Sequence, residues 1–157
     1  MQHRMKTHPL TTEQIDELLI RALTGTLATI NTDGSPYAAP IHFIYLDNAV
    51  YFHGLPKGSK IDNLKADPRV SMTVYEMESL LLAPDGQPCD TNTKYRSVIL
   101  SGLASLVEDM GLKKEILSAI VKKYTPHLNS NAFPDNMVKG TAVIRIQINS
   151  LTGKYYD

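Results

Sequence analysis

The stretch TLATINTDGSPYAAPIHFIYLDNAVYFH, residues 26–53, contains two turn signals, Asn31–Gly34 and Asp47-Asn48. Asn, Asp and Gly tolerate the positive φ angles that tight turns require, so each signal favours a reversal of the chain. The segments around these turns are rich in β-forming residues and have the lengths of strands: Thr26–Ile30, Tyr37–Tyr45 and Ala49–His53. The stretch therefore predicts an antiparallel meander of three strands.

Helices are predicted before and after this meander. Thr11 and Gln14 have the spacing of a capping box, and apolar residues at helical period follow from Thr12 to Thr24. A short helix, Ser59–Ala66, follows the meander and ends before Pro68. Asp109–Tyr124 is predicted to be a second amphipathic helix. Its apolar face comprises Leu112, Ile116, Leu117, Ile120, Val121 and Tyr124.

Three further strands are predicted in the second half of the chain. They are Val70–Tyr75, Tyr95–Val107 and Thr141–Asn149, and the last alternates apolar and polar residues as a half-buried strand does. Glycine inside a strand often marks a bulge, so we expect a bend at Gly102. Glu76–Thr93 contains two prolines and an Asp-Gly pair and is predicted to be a long loop of the kind that often serves function.

These elements predict a mainly β fold with flanking helices. Six antiparallel strands with few helices favour a closed barrel, because closure removes exposed strand edges. Strand spacing alone does not separate a barrel from a sandwich. The length of 157 residues suits one domain, residues 1–157, with a flexible N-terminal segment over residues 1–10.

The composition restricts the function classes. Lys plus Arg and Asp plus Glu both number 16, which argues against a non-specific nucleic-acid binder. The single cysteine, Cys89, allows no internal disulfide and no cysteine-only zinc site. No segment has the apolar length of a signal core or a membrane span, so we expect a cytoplasmic protein without a membrane partner.

The run His53-Gly54-Leu55-Pro56-Lys57-Gly58-Ser59-Lys60 is the strongest local signal for chemistry. It leaves a strand, crosses a glycine-containing turn and enters a helix, whose first N–H groups attract anions. Two lysines add positive charge and a serine adds a hydroxyl donor. The run is therefore a candidate phosphate site, although an ordinary strand-to-helix turn with solvated lysines has the same pattern.

Other candidate residues carry weaker signals. His53 and His42 lie on neighbouring predicted strands, so they could flank one cleft, but a histidine satisfied by backbone groups fits equally. Arg96 begins a strand and could pair with a phosphate or with a surface carboxylate. Cys89 is interpreted as a bystander because no histidine is near it in sequence. No metal-ligand spacing, dinucleotide-binding glycine motif or Walker motif occurs.

Taken together, seven runs resemble those of the FMN-binding split barrels of the pyridoxamine 5′-phosphate oxidase superfamily, in the branch of nitroimidazole-resistance (Nim-type) proteins. They follow the same order over about residue 10 to the C-terminus. The runs are Gly25–Thr29, Asp33–Tyr37 with Pro40, Val50–His53, Gly58–Lys60, Asp67–Val70, Lys94–Val98 with Gly102, and Ser150–Lys154. The resemblance implies a six-stranded antiparallel split β-barrel that forms a homodimer with FMN at the subunit interface.

The resemblance also implies roles for individual residues near the flavin ring. Pro40, Ile41 and His42 would line the isoalloxazine ring, largely through backbone groups. Phe52 and His53 would lie beside the ring, and His53 occupies the position of the family's active-site histidine. His53 is therefore the predicted catalytic residue.

The FMN phosphate would be held near the start of the short helix. Ser59 and Lys60 would bind it, and Lys57 and Asn63 are nearby candidates. Arg96 and Ser97 would come from the other subunit. A lysine keeps the positive charge that some relatives provide with arginine but lacks its bidentate geometry. The ending Lys154–Asp157 departs from the Arg-Leu-x-Pro type ending of pyridoxamine phosphate oxidases, which argues against activity on vitamin B6.

The resemblance therefore predicts an FMN-dependent oxidoreductase. A reduced nicotinamide or similar donor would reduce the flavin, which would pass electrons to a small electron-poor acceptor such as a nitroimidazole or another nitroaromatic compound. The alternative is a non-catalytic FMN or haem carrier or sensor, with His42, His53 or His127 as the axial haem ligand. A third possibility is a dimeric interaction domain without a cofactor.

Overall fold

The meander forms in the computed structural model, which describes residues 6–128 and 133–157. Strand β1, Thr24–Ile30, pairs with β2, Pro36–His42, along its whole length. The turn between them contains Gly34 at φ 84°, and the second turn contains Asp47 and Asn48 at φ 49° and 57°. Both predicted turns are therefore confirmed by the backbone conformation that their residues favour.

The second strand of the meander is shorter than predicted. Tyr37–Tyr45 is divided into β2 and a short β3, Ile44–Leu46, and β3 pairs with β4, Ala49–Gly54. The division falls at Phe43, whose side chain is fully buried. The backbone N–H of Phe43 donates to the Tyr124 hydroxyl, 2.8 Å away, and not to a neighbouring strand.

Residues 6–128 and 133–157 form seven antiparallel strands where six were predicted. The remaining three are β5, Arg69–Leu81, β6, Asn92–Leu106, and β7, Ala142–Tyr156. The order across the sheet is β2-β1-β5-β6-β7-β4-β3. The predicted closed barrel is not present, because the sheet has two edge strands, β2 and β3. These strands are consecutive in the chain and meet at Phe43, but no ladder of hydrogen bonds joins them.

The prediction that Glu76–Thr93 is a loop is wrong. β5 and β6 form one long hairpin that stays paired as far as Leu81 and Asn92, and only residues 82–91 lie outside it. Prolines and an Asp-Gly pair indicated a loop, but they lie near the tip, where a single turn of 3₁₀ helix covers Pro88–Asp90. β7 likewise runs past its predicted end, because β6 supplies pairing partners up to Tyr156.

Four α-helices of the described residues border the sheet. Helix α1, Thr12–Arg21, has the predicted capping box but ends before Thr24, which pairs in β1. Helix α2, Ser59–Ala66, matches its prediction, and α3, Met110–Tyr124, begins after the N-cap Asp109. The sequence analysis missed α4, Asp135–Gly140, which has only six residues. None of the helices in the described ranges is both long and apolar enough to span a membrane.

Two clusters of buried side chains fill the space between the sheet and the helices. The larger one packs α1 and α2 against the sheet and includes Leu18, Phe43 and Phe52, each with no exposed surface. The smaller one packs α3 and α4 against β7 through Ile116 and Val138. One cluster holds α1 and α2 and the other holds α3 and α4 against the sheet. The candidate site lies at the ends of β2 and β4.

Part of the segment predicted to be flexible lies along β7. Residues 1–5 of that segment lie outside the described residues. Pro9 forms an isolated bridge with Lys154, and the Leu10 N–H donates to the Gly153 carbonyl at 3.2 Å. The Leu10 side chain is buried in the larger core cluster.

The predicted bulge at Gly102 is confirmed, and it generates a stability prediction. The pairing of β6 with β7 shifts register between Ser101 and Gly102, and a Cβ at residue 102 would overlap the Gln147 carbonyl oxygen. We expect Gly102→Ala to lower the free energy of unfolding by about 1–3 kcal/mol, because the backbone must move. Urea unfolding measures this, and Gly140→Ala, with no atom within 4 Å of its added Cβ, is the control.

Candidate functional site

His42 and His53 meet where β2 and β4 end. Strands β2 and β4 contact each other, and His42 is close enough to His53 to interact with it electrostatically. Burial lowers the pKa of His53 below its ordinary value of 6.5, and the positive charges of His42 and Lys60 lower it further. The His53 imidazole is therefore neutral at pH 7, so one ring nitrogen donates and the other accepts a hydrogen bond.

The turn after His53 has the features of an anion site. Gly58 precedes α2 at φ 116°, and no side chain caps the first N–H groups of this helix. Lys57 and Lys60 form no salt bridge with any residue in the described ranges. Burial lowers the pKa of Lys60, whose ammonium lies 5.3 Å from the centroid of the Phe52 ring. Free N–H groups, two lysines and the exposed Ser59 therefore occur within one short turn of the chain.

Four of the predicted cofactor-binding residues are buried: Ile41, Phe52, Asn63 and Ser97. The Ile41 and Phe52 side chains are buried in the core, so only their backbone groups can face a ligand. Asn63 is also buried, and its amide donates to the Thr29 hydroxyl at 3.1 Å and to the Asn31 side-chain oxygen at 2.8 Å. These hydrogen bonds connect α2 to β1 and occupy both amide hydrogens.

Arg96 and Ser97 lie on β6, away from the histidines. Strands β1 and β5 separate β6 from β2, so Ser97 lies about 14 Å from His42 at ordinary strand spacing. Arg96 pairs with Glu78 at 3.1 Å. The Ser97 hydroxyl oxygen is buried and has no hydrogen-bond partner in the described part of the chain. One subunit therefore does not bring Arg96 and Ser97 to the same point as His53.

A shallow recess of about 130 Å³ lies between these two groups on the outer face of the sheet. Its lining comes from β1, β2 and β5: Thr24, Gly25, Thr26, Pro40, Thr73 and Tyr75. We call this surface the outer strip. It contains the predicted site residue Pro40 and runs from the His42 end of β2 towards β6.

Two residues at the end of α3, which were not predicted to belong to the site, hold the backbone next to His42. The Tyr124 hydroxyl accepts from the Phe43 N–H and lies 2.7 Å from both the Phe43 and the Leu23 carbonyl oxygens. The Lys123 ammonium donates to the carbonyls of Ala22 and Phe43, at 2.7 and 3.0 Å. We call Lys123 and Tyr124 the clamp. The Tyr124 ring also contacts the His42 ring edge to face, with centroids 5.2 Å apart.

The clamp could be recognised only in part from sequence. Tyr124 was predicted on the apolar face of its helix, but its hydrogen bonds cross to residues about 80 and 100 positions earlier. Lys123 is a lysine in the last turn of a helix, which normally indicates a solvated cation. Here burial lowers its pKa to about 8. No cluster of three or more metal-binding side chains occurs in residues 6–128 and 133–157.

A family model described as pyridoxamine 5′-phosphate oxidase matches residues 11–155. The chain belongs to this family. The resemblance inferred from the seven sequence runs is therefore confirmed over almost the whole chain. No curated protein sequence matches the chain significantly.

Solved structures share this fold. A candidate 5-nitroimidazole antibiotic resistance protein from Bacteroides thetaiotaomicron has a TM-score of 0.81 and 24% identity, over 93% of this chain and 85% of that chain. The flavocytochrome Anf3 from Azotobacter vinelandii has a TM-score of 0.81 and 24% identity, over 94% and 68%. An FAD and haem binding protein from Mycobacterium smegmatis has a TM-score of 0.82 and 21% identity, over 94% and 72%.

The clamp generates a pH prediction. Lys123 has a pKa of about 8 in the folded protein and an ordinary value of 10.5, so between these values the unfolded chain binds more protons and stability rises with pH. From pH 8 to 10 we expect the wild type to gain about 1–2 kcal/mol relative to Lys123→Met, after allowing for partial exposure. Urea unfolding of both proteins across this range tests it, and parallel pH profiles would contradict it.

Proposed function

We propose that this protein is an FMN-dependent oxidoreductase that forms a split-barrel homodimer. It takes electrons from a reduced nicotinamide or similar donor and reduces small electron-poor acceptors such as nitroimidazoles and other nitroaromatic compounds. The observation that carries the proposal is the unpaired, positively charged turn from His53 to Lys60, directly beside the His42–His53 pair. Two proteins of similar fold, the flavocytochrome and the FAD and haem binding protein, support a flavin as the ligand.

The residues around this turn fit the two ends of FMN. Lys57, Ser59 and Lys60 would hold the phosphate together with the free N–H groups of α2. Backbone groups of Pro40, Ile41 and Phe52 and the side chain of His42 would border the ring, as would His53. Asn63 would act indirectly, because its amide hydrogens already hold α2 against β1.

A second subunit would complete the site. Arg96 and Ser97 are too far from His42 to act with it in one chain, and the buried Ser97 hydroxyl oxygen lacks a partner. The strands next to the outer strip also expose large apolar side chains: Tyr75 is 56% exposed and Met77 53%. Burial of this surface against a copy of the chain would remove apolar area from water and bring the Arg96–Ser97 segment to a partner's phosphate-binding turn.

Bound FMN would supply the electron transfer between donor and acceptor. The chain would supply orientation and a proton. His53 is neutral at pH 7, and its ring N–H can donate to an acceptor oxygen or to the ring edge. The ammonium of the neighbouring Lys60 favours negative charge that develops nearby. The clamp would keep His42 in register, since Tyr124 holds both the Phe43 backbone and the His42 ring.

The alternative is an FMN or haem carrier or sensor without turnover. It is supported by the same two cofactor-binding proteins and by the paired, exposed histidines His42 and His53. His127 is also exposed, in the loop after α3.

Absorption spectra test the cofactor. We expect purified protein mixed with FMN and then desalted to keep about one FMN per chain, with two flavin bands. Lys60→Gln should weaken FMN binding about tenfold or more, because a charge-assisted hydrogen bond is lost. Lys65→Gln, at an exposed position in the last turn of the same helix, is the matched control. A protein that keeps haem bands or no chromophore would exclude the FMN proposal.

Kinetics test the role of His53. If it donates a proton, His53→Ala should reduce turnover of a nitroaromatic acceptor about 100-fold. FMN affinity should change by less than about threefold, because the phosphate contacts remain. Stopped-flow rates for the acceptor step and fluorescence titration with FMN separate the two effects. Equal losses in both measurements would assign His53 a binding role only.

A further inference from the structure

An apolar recess of about 210 Å³ lies between α3 and α4, and His53 is on its rim. The described chain provides six apolar lining residues: Leu117, Ile120, Val121, Phe133, Met137 and Val138. Thr141 completes the wall. The recess is separate from the outer strip, because its lining comes from α3, α4 and the residues next to them.

The walls of this recess are held by defined contacts. Val138 is fully buried in the smaller core cluster and fixes α4 against α3. Lys114 on α3 pairs with Asp135 on α4 at 2.7 Å. The Thr141 hydroxyl donates to the Met137 carbonyl at 2.9 Å. Met137 itself is 61% exposed, so an adaptable thioether side chain borders the opening.

The volume of the recess fits a ligand with a single aromatic ring. An apolar cavity of about 150 Å³ is large enough to hold benzene, so 210 Å³ accommodates one aromatic ring with small substituents. A charged ligand would lose hydration without gaining an ionic partner among the six apolar residues, which disfavours it. The ligand class that fits is therefore a small neutral aromatic molecule.

His53 provides the polar end of this recess. The ring N–H of a neutral imidazole donates one hydrogen bond, and the Thr141 hydroxyl hydrogen is already donated to Met137. A ligand that buries its ring between the helices can therefore direct one acceptor oxygen to His53. An aromatic molecule without an acceptor would fill the same volume and gain no such bond.

We propose that the recess between α3 and α4 binds a small neutral aromatic molecule through its ring and holds an acceptor oxygen of that molecule at His53. Its use as the pocket for the electron acceptor rests on the proposed function, whereas binding itself does not require FMN. Residues of α3 and α4 would then determine which acceptors the protein accepts.

Titration of the FMN-free protein with nitrobenzene, followed by amide chemical shifts, tests the proposal. We expect saturable shifts centred on Val121 and Thr141. Val121→Phe should weaken binding at least about tenfold, because the larger ring fills the recess. Ala119→Phe, two residues earlier on the same helix and facing a different groove, should bind as the wild type does. Met137→Trp provides a second blocking variant at an exposed position.

Toluene, which has nearly the same shape and no acceptor oxygen, tests the role of His53. The wild type should prefer nitrobenzene over toluene by about fivefold, the value of one neutral hydrogen bond. His53→Ala should bind both compounds equally and should still bind toluene. Benzoate, the charged analogue, should bind at least about tenfold more weakly than nitrobenzene.

Two results would overturn the proposal. One is the absence of saturable shifts at Val121 and Thr141 with nitrobenzene. The other is equal affinity in the wild type and both blocking variants. FMN retention is measured separately. If the protein binds nitrobenzene but retains no FMN, the recess proposal stands and the proposed function is overturned. If the protein retains FMN but shows no binding in the titration, only the recess proposal is overturned.

Discussion

The interruption of the sheet at Phe43 is the constraint on which the rest of the site depends. A fully buried residue between two strands has an N–H and a carbonyl that must find partners away from the ladder, because leaving them unpaired costs about 1–3 kcal/mol each. The clamp, Lys123 and Tyr124, provides those partners from the end of α3. The same contacts determine where α3 lies against the strands.

The chemistry follows from this placement. Because the chain turns at Phe43, β2 comes into contact with β4, and His42 at the end of β2 lies close enough to His53 to interact with it electrostatically. The turn after His53 then brings Lys60 close enough to lower the pKa of His53. On the other side of His53, α3 and α4 enclose an apolar recess. The proposed anion and the proposed aromatic ring would thus use different residues around His53.

The long hairpin of β5 and β6 forms a second exposed surface of the fold. It extends the sheet well beyond the core, carries Arg96 and Ser97, and leaves Tyr75 and Met77 largely exposed. A buried hydroxyl without a partner, at Ser97, lies in the same region. The second copy of the chain proposed above would cover the exposed parts of Tyr75 and Met77.

The sequence alone determined the turns at Gly34 and Asp47-Asn48, the capping box at Thr11, the bulge at Gly102 and the cationic turn after His53. Each depends on the conformational or hydrogen-bonding properties of residues close in sequence. The division at Phe43, the extension of β5 to Leu81 and the clamp were decided only by the tertiary structure. They depend on partners distant in the chain: Phe43 bonds to Tyr124, and Leu81 pairs with Asn92. Local propensity carries no information about such partners, because burial and pairing arise only when the elements pack together.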